Sequence, residues 1–177
     1  MVIIRHARSS DANALAALAE RTFRDTFGGA NSAEDMDFHC RASYGEDIQS
    51  AEISNPAMVT LVAEDGAVLV AFAQLRWSAA PACVHAGNPG EIQRLYVAKP
   101  WHGKGVAHEL MAACIGEMEG RGSDVIWLGE WERNPRAVAF YAKFGFVGVG
   151  DHVFPLGTDP QRDIIMARPV AKRPSAR

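Results

Sequence analysis

Cysteine is scarce in this chain: three in 177 residues, at positions 40, 83 and 114. An odd, widely scattered set offers neither a disulfide framework nor a zinc site, and fits a reducing cytoplasm. The six histidines include no closely spaced pair of the kind that ligates a metal, so no metal is expected. Long apolar runs are missing too. The opening Met1-Val-Ile-Ile-Arg-His6 is not signal-like, and no segment approaches the roughly 20 apolar residues of a membrane span. A cytoplasmic location with no membrane partner is the expectation. Charge of one sign is also lacking, with 18 Lys and Arg against 21 Asp and Glu, a net charge of −3 that favours no nucleic-acid partner. No repeats are visible. With 48% apolar and 22% charged residues, the chain has the composition of a globular protein. Its length suits one domain over residues 1–170, followed by a basic, frayed tail at 171–177.

Periodicity lays out the elements. Val2–His6 reads as a strand. Asp11 can cap a helix carrying Leu15, Leu18, Thr22, Phe23 and Phe27 toward one side, ended by Gly28-Gly29. Asn31 or Ser32 can cap a second helix, and a third helical stretch is expected from about Gly45 to Ile53. Residues 59–64 and 68–77 form a hairpin around Asp65-Gly66, and 91–97 is the fourth strand. Val106, Leu110, Met111, Cys114, Ile115 and Met118 make a helical stripe. A buried strand at 124–128, a helix at 135–144 and strands at 147–153 and 163–168 complete the order β-α-α-β-β-β-α-β-α-β-β. Such an order describes an α/β (α+β) fold, a mixed, mostly antiparallel sheet of about seven strands flanked by helices.

The most informative stretch is Glu91-Ile-Gln-Arg-Leu-Tyr-Val-Ala-Lys-Pro-Trp-His-Gly-Lys-Gly-Val-Ala107, a strand, a glycine-rich basic turn and a helix start. The first amides of a helix lack intrahelical partners and can be offered to an anion. Gly103 and Gly105 remove the side chains that would block the approach, and His102 and Lys104 add positive character. The turn is not a Walker loop, because Lys104 is followed by Gly105, and not a dinucleotide fingerprint, because the third glycine position holds His108.

A second cluster lies thirty residues on. Leu128-Gly-Glu-Trp-Glu-Arg-Asn-Pro-Arg-Ala-Val-Ala-Phe-Tyr-Ala-Lys-Phe-Gly-Phe146 reads as a buried strand feeding a short helix. Asn134 can cap it, Pro135 suits its first position and Gly145 the residue past its end. Ala137, Phe140 and Phe144 share the face expected on the sheet, with Tyr141 turned about 100° away from Phe140.

Together, His102-Gly-Lys-Gly-Val-Ala107 and the Asn134…Tyr141…Phe146 segment resemble the two signatures of the GNAT N-acetyltransferases, with His102 replacing the usual first Gln or Arg. Arg21-Thr-Phe-Arg-Asp-Thr-Phe-Gly28, the Trp127-Leu-Gly-Glu-Trp-Glu132 run and the segment after Phe146 narrow the likeness to the PaiA-type branch, over about residues 2–169. The resemblance implies acetyl-CoA as co-substrate, lying between the fourth and fifth strands. Leu95, Tyr96 and Val97 would line its pantetheine arm, His102, Gly103, Lys104, Gly105, Val106 and Ala107 would cradle its pyrophosphate, and Asn134 and Tyr141 would meet it from the opposite wall. Lys143 and Arg136 either reach the nucleotide phosphates or are solvated.

In this reading Tyr141 is the general acid for the departing sulfur, since a phenol is protonated at neutral pH. The base is Glu91, taken to share a face with Gln93 and Leu95, or alternatively Glu130 on the fifth strand. The acceptor pocket is expected from the first two helices and the loop between the last strands, where Phe23, Arg24, Asp25 and Phe27 could line it. Phe23 and Phe27 share an i, i+4 face, and the reading favoured for Phe23 is core packing instead. The implied activity is direct transfer of an acetyl group to a small primary amine, a polyamine first. A protein or peptide amine, another small amine, or a non-catalytic acetyl-CoA-binding module are the alternatives. A homodimer is compatible with the family, though no sequence feature demands one.

Overall fold

The computed structural model of the protein describes residues 1–170, so the tail expected at 171–177 lies outside the described residues. Among the described residues the elements run β1 (Val2–His6), α1 (Ala12–Phe27), α2 (Ala33–Ser43), α3 (Glu46–Ser54), β2 (Met58–Asp65), β3 (Val68–Arg76), β4 (Pro89–Val97), α4 (Val106–Gly120), β5 (Val125–Trp131), α5 (Pro135–Lys143), β6 (Val147–Leu156) and β7 (Asp159–Pro169). The expected order holds, with α3 as the further helix near residue 45. The last two strands are longer than their sequence pattern indicates. They close on a tight turn at Gly157-Thr158, where Gly157 takes the left-handed φ of 60° that lets pairing continue to Leu156 and Asp159.

The strands form one sheet in the order β1-β2-β3-β4-β5-β7-β6. Every neighbouring pair is antiparallel except β4 and β5, which are parallel and pair only at Pro89–Val125, Gly90–Ile126 and Glu91–Trp127. Beyond Glu91 the two strands part, opening a V-shaped gap. A bulge contributes to the parting. Ile92 pairs with Leu75 and Arg94 with Gln74, so Gln93 has no partner on β3. An extra residue of this kind bends its strand and re-aims the side chains beyond it.

Two apolar layers cover the sheet. On one face Leu15, Leu18, Ala19 and Phe23 of α1 and Met36 and Cys40 of α2 pack on Val62, Leu69 and Phe72. The i, i+3, i+4 spacing of these α1 residues places them along one stripe. On the other face Leu110, Met111, Cys114 and Met118 of α4 pack on Leu61, Ala73, Leu75, Ile126 and Leu128. No helix among the described residues is long and apolar enough to cross a membrane.

The bulge also corrects a sequence expectation. Ile92, Leu95 and Val97 lie with the α4 side, whereas Tyr96 joins the α1 side. Simple alternation would put Glu91 with Gln93 and Leu95. The extra residue shifts the phase, so Glu91 falls on the face of Arg94 and Tyr96.

Candidate active site

The gap between β4 and β5, closed at its ends by α4 and α5, is a cleft of about 630 Å³. Leu95, Tyr96 and Val97 form one wall, His102, Gly103, Gly105 and Ala107 one end, and Asn134, Tyr141 and Lys143 the opposite wall. Gly103 and Gly105 have φ of 75° and 85°, left-handed values natural to glycine, and the space where a side chain would stand is open. The five amides from Gly103 to Ala107 donate to no backbone carbonyl among the described residues. The first bonds of α4 come from His108 and Glu109, both to the Gly105 carbonyl, at 2.9 and 3.1 Å. Unpartnered amides at a helix N-terminus, with nothing in front of them, suit a phosphate.

Three residues of the expected cradle act differently from their neighbours. Lys104 sits with its ammonium 4.9 Å from the centre of the Trp101 ring and does not line the cleft. Val106 points into the core at 3% exposure, leaving only its backbone for the loop. His102 donates from Nε2 to the Val97 carbonyl at 2.7 Å, so its ring ties the loop to β4. Lys143 and Arg136 both line the cleft and are exposed.

On α5 the burial pattern departs from the sequence stripe. Tyr141 is buried among Leu128, Cys114 and Phe146, while Ala137, Phe140 and Phe144 are half-buried. The helix borders an open cleft instead of lying flat on the sheet, so its inner edge is rotated toward Tyr141. Burial, with help from the Glu130 charge, holds the Tyr141 phenol well above its ordinary range, so the group is protonated at neutral pH. Asn134 caps α5, accepting the Ala137 N–H at 3.4 Å, and its Nδ2 donates to Glu130 Oε1 at 3.1 Å.

Glu130 stands where this cleft meets a second cavity. Its Oε1 also accepts the Trp131 N–H at 3.1 Å. Burial pushes its carboxyl up to about 8, the Asn134 hydrogen bond opposes that rise and the charge of Asp163 adds to it. Glu91, the first expectation for the base, is buried and clasped by Arg76, with Nε to Oε2 at 2.5 Å and Nη2 to Oε1 at 3.1 Å. Both oxygens of this carboxylate are thus engaged by one two-pronged guanidinium.

The second cavity, of about 370 Å³, shares Phe27, Gln93, Arg94, Tyr96, Gly129 and Glu130 with the first. Its walls mix aromatic rings with charged side chains, among them Arg76, Arg94 and Asp163. Phe27 lies 4.7 Å from Phe23 and 5.7 Å from Trp131, while His39 stacks on Phe23 at 4.3 Å and lies 5.7 Å from Phe154. Burial and the Arg94 charge lower His39 to about 4, leaving it neutral at pH 7. The β6–β7 hairpin covers the cavity with Phe154, Leu156 and Gln161. Its tip is pinned where Asp35, in the first turn of α2, accepts the Thr158 N–H at 2.7 Å.

Of the residues expected here, Phe23 and Phe27 line the cavity, and Phe23 is also in the core. Arg24 and Asp25 do not. Arg24 is paired with Glu20 and Asp37, and Asp25 with Lys99 at 3.2 Å. Sequence reasoning missed His39, Tyr44, Gln93, Trp131 and Phe154. Only Trp131, next to Glu130, carried a local signal; the others arrive through tertiary packing.

Comparison with known proteins gives the family. The family model described as "Acetyltransferase (GNAT) family" matches residues 14–146. An uncharacterized N-acetyltransferase of Lactobacillus delbrueckii subsp. lactis is 32% identical over 154 residues, covering 86% of this chain and 88% of that protein. An uncharacterized N-acetyltransferase of Mycobacterium tuberculosis is 29% identical over 160 residues, covering 90% and 97%. In fold, the chain is similar to the PaiA N-acetyltransferase of Thermoplasma acidophilum solved with coenzyme A, with a TM-score of 0.76 at 24% identity, covering 96% and 99% of the two chains. It is also similar to the ribosomal-protein-S18-alanine N-acetyltransferase of Escherichia coli, with a TM-score of 0.71 at 18% identity, covering 99% and 97%. With a cleft suited to the phosphates and arm of acetyl-CoA and a family match over most of its length, the chain belongs to the acetyltransferase (GNAT) family, as an acetyl-CoA-dependent N-acetyltransferase.

Proposed function

We propose that the protein moves the acetyl group of acetyl-CoA directly to the primary amine of a small molecule, both held together in one ternary complex. The observation that carries this reading is the junction of the two cavities at Glu130. The larger cleft takes the donor, with the amides of 103–107 on its pyrophosphate and β4 beside its arm. The smaller cavity takes the acceptor, so the amine meets the thioester beside Glu130.

A primary alkylamine is mostly protonated at neutral pH and must lose a proton to attack. In this reading ionised Glu130 takes that proton first, and the freed lone pair of nitrogen then bonds to the carbonyl carbon. Its raised pKa makes it a stronger base than an ordinary carboxylate. When the carbon–sulfur bond breaks, Tyr141 gives its proton to the leaving thiolate. The extra proton on the adduct nitrogen passes to the Tyr141 phenolate, which leaves the neutral amide and restores the phenol. Asn134 is a positioning residue, fixing both the start of α5 and the Glu130 carboxyl.

The test is thiol release from acetyl-CoA over a panel of amines that includes spermidine, the polyamine to which the PaiA-type resemblance points. Short peptides and amino acids complete the panel, and Tyr141→Phe is run alongside. Turnover that Tyr141→Phe lowers at least tenfold, with acetyl-CoA affinity unchanged, supports the assignment. Acetyl-CoA binding with no turnover on any amine overturns it in favour of a regulatory module. Turnover on peptides alone moves the acceptor to protein amines.

A further inference from the structure

We infer that the preferred acceptor is a monoamine carrying a flat aromatic body, an arylalkylamine in chemical class, and not a polycation. This rests on the acetyl-transfer reading of the same site and names the acceptor within it.

The charges of the acceptor cavity come first. Three carboxylates line it: Glu91, Glu130 and Asp163. Glu91 is clasped by Arg76, Asp163 faces His152 at 3.6 Å, and Glu130 is held by Asn134 at the junction where the reacting amine must sit. Two guanidinium groups, Arg76 and Arg94, line the same walls. Arg94 is fixed by Glu52, at 2.9 and 3.0 Å, and by the side-chain Oε1 of Gln74 at 2.6 Å. A polyamine with one nitrogen at Glu130 would carry its remaining ammonium groups into a space where Glu91 is already paired with Arg76 and Arg94 adds a second guanidinium, leaving Asp163 alone to balance them. Burying a cation without a partner is strongly unfavourable.

The walls come second. Phe23, Phe27, Trp131 and Phe154 line the cavity, with Phe27 also bordering the donor cleft. Aromatic faces can attract a cation as well as a ring, but two are already covered: Arg94 lies over Tyr44 at 5.2 Å, and His39 stacks on Phe23 at 4.3 Å. What is left, notably the edges and faces of Phe27, Trp131 and Phe154, suits a ring packed edge-to-face. His39 is neutral at pH 7 and does not repel such a body.

A polar anchor comes third. Gln93, put out of register by the bulge, lines both cavities, and its buried Oε1 has no hydrogen-bond partner among the described residues. A buried carbonyl oxygen at the meeting point of donor and acceptor can receive an N–H of the incoming amine. One amine nitrogen held between Gln93 and Glu130, with a ring behind it, satisfies the unmatched group on each side.

The experiment compares 2-phenylethylamine, butylamine and spermidine at saturating acetyl-CoA, with the parent protein and Phe154→Ala. Binding of the same amines to the protein saturated with coenzyme A is measured by calorimetry. The expected kcat/KM for phenylethylamine exceeds that for butylamine and for spermidine by at least about tenfold. Phe154→Ala should lower the phenylethylamine value about tenfold while changing the butylamine value less than threefold. Spermidine turned over as well as phenylethylamine would overturn this inference and leave acetyl transfer standing. If no amine is turned over yet phenylethylamine binds in preference to spermidine, the acceptor preference stands and the catalytic reading fails. No preference in either measurement overturns the inference.

Discussion

Replacing Glu130 with glutamine tests the chemistry where the two cavities meet. Gln retains a carbonyl oxygen that can accept from the Trp131 N–H and Asn134 Nδ2, the two bonds Glu130 makes at 3.1 Å, so the junction should keep its shape. What it loses is the ability to take a proton. A positioned base contributes about 10²–10⁴-fold, or about 2.7–5.5 kcal/mol of barrier. The expected kcat of Glu130→Gln is lower by a factor in that range, with KM for acetyl-CoA unchanged. The pH profile adds a second, independent reading. With the carboxyl at about 8, only about a tenth of the parent is in the ionised, basic form at pH 7. The parent kcat should therefore rise about tenfold between pH 7 and 9 and flatten above that. Below pH 7 it should fall about tenfold per pH unit, and the variant should lack this limb. The assay is thiol release at saturating amine and acetyl-CoA, repeated as single turnover so that product release does not mask chemistry. The same ionisation has a stability side. The native carboxyl lies above its ordinary value of 4.5, so the folded state holds this proton more tightly than the unfolded chain does. The parent should accordingly lose stability as pH rises from about 4.5 through 8, and the variant should not lose that contribution. A Glu130→Gln protein with kcat within twofold of the parent, or with the same acidic limb, would refute the assignment of Glu130 as base.

Gly105→Ala forces a side chain onto a φ of 85°, at a cost of about 1–2 kcal/mol, and places a methyl in the open space before the loop amides. Its melting temperature should fall and its KM for acetyl-CoA rise at least tenfold, while kcat at saturation stays near the parent value. Glu91→Gln should keep kcat within about threefold, because Glu91 is assigned to Arg76 and not to the amine. Arg76 is 40% exposed, so the stability loss should be about 1 kcal/mol, well under that of breaking a fully buried pair, and thermal unfolding measures it. Asp35→Ala unpins the β6–β7 hairpin from α2, and steady-state kinetics should show KM for the amine rising several-fold with KM for acetyl-CoA unmoved. The Thr158 amide holds the Asp35 carboxyl below its ordinary range, so this clamp should be intact at neutral pH and lost only in acid below that range.

The cleft proposed for the donor was legible in the sequence because it is built from contiguous residues under local rules. Gly103 and Gly105 announce left-handed backbone, and Asn134, Pro135 and Gly145 mark the start and end of α5 without reference to the rest of the chain. The choice between Glu91 and Glu130 was not legible. It depends on a guanidinium that β3 brings across the sheet to Glu91, and on a bulge at Gln93 that reverses which side chains share a face. Alternation along β4 gives the wrong phase because a bulge is set by pairing with a strand some twenty residues away, and Gln93 looks like any polar strand residue.

For the cavity proposed to take the acceptor, the first two helices and the last hairpin were legible as its source, but most of its side chains were not, for a related reason. Phe23, His39, Gln93, Trp131 and Phe154 come from α1, α2, β4, β5 and β6, and meet only when the β6–β7 hairpin folds back onto α2. A loop that binds through backbone amides demands little more than glycine at two positions, so many sequences can supply it and still show it. A pocket that selects through side chains demands particular shapes at distant positions, and each of those residues passes locally for ordinary core. Phe23 is both, buried in the α1 layer and lining the cavity. Substituting it would therefore confound folding with selectivity. Phe154 belongs to the covering hairpin and is half-buried, so it can be changed with less consequence for the sheet. A selectivity change at Phe154 with unfolding unaltered would locate acceptor choice in the hairpin, separate from the donor cleft that β4, α4 and α5 build.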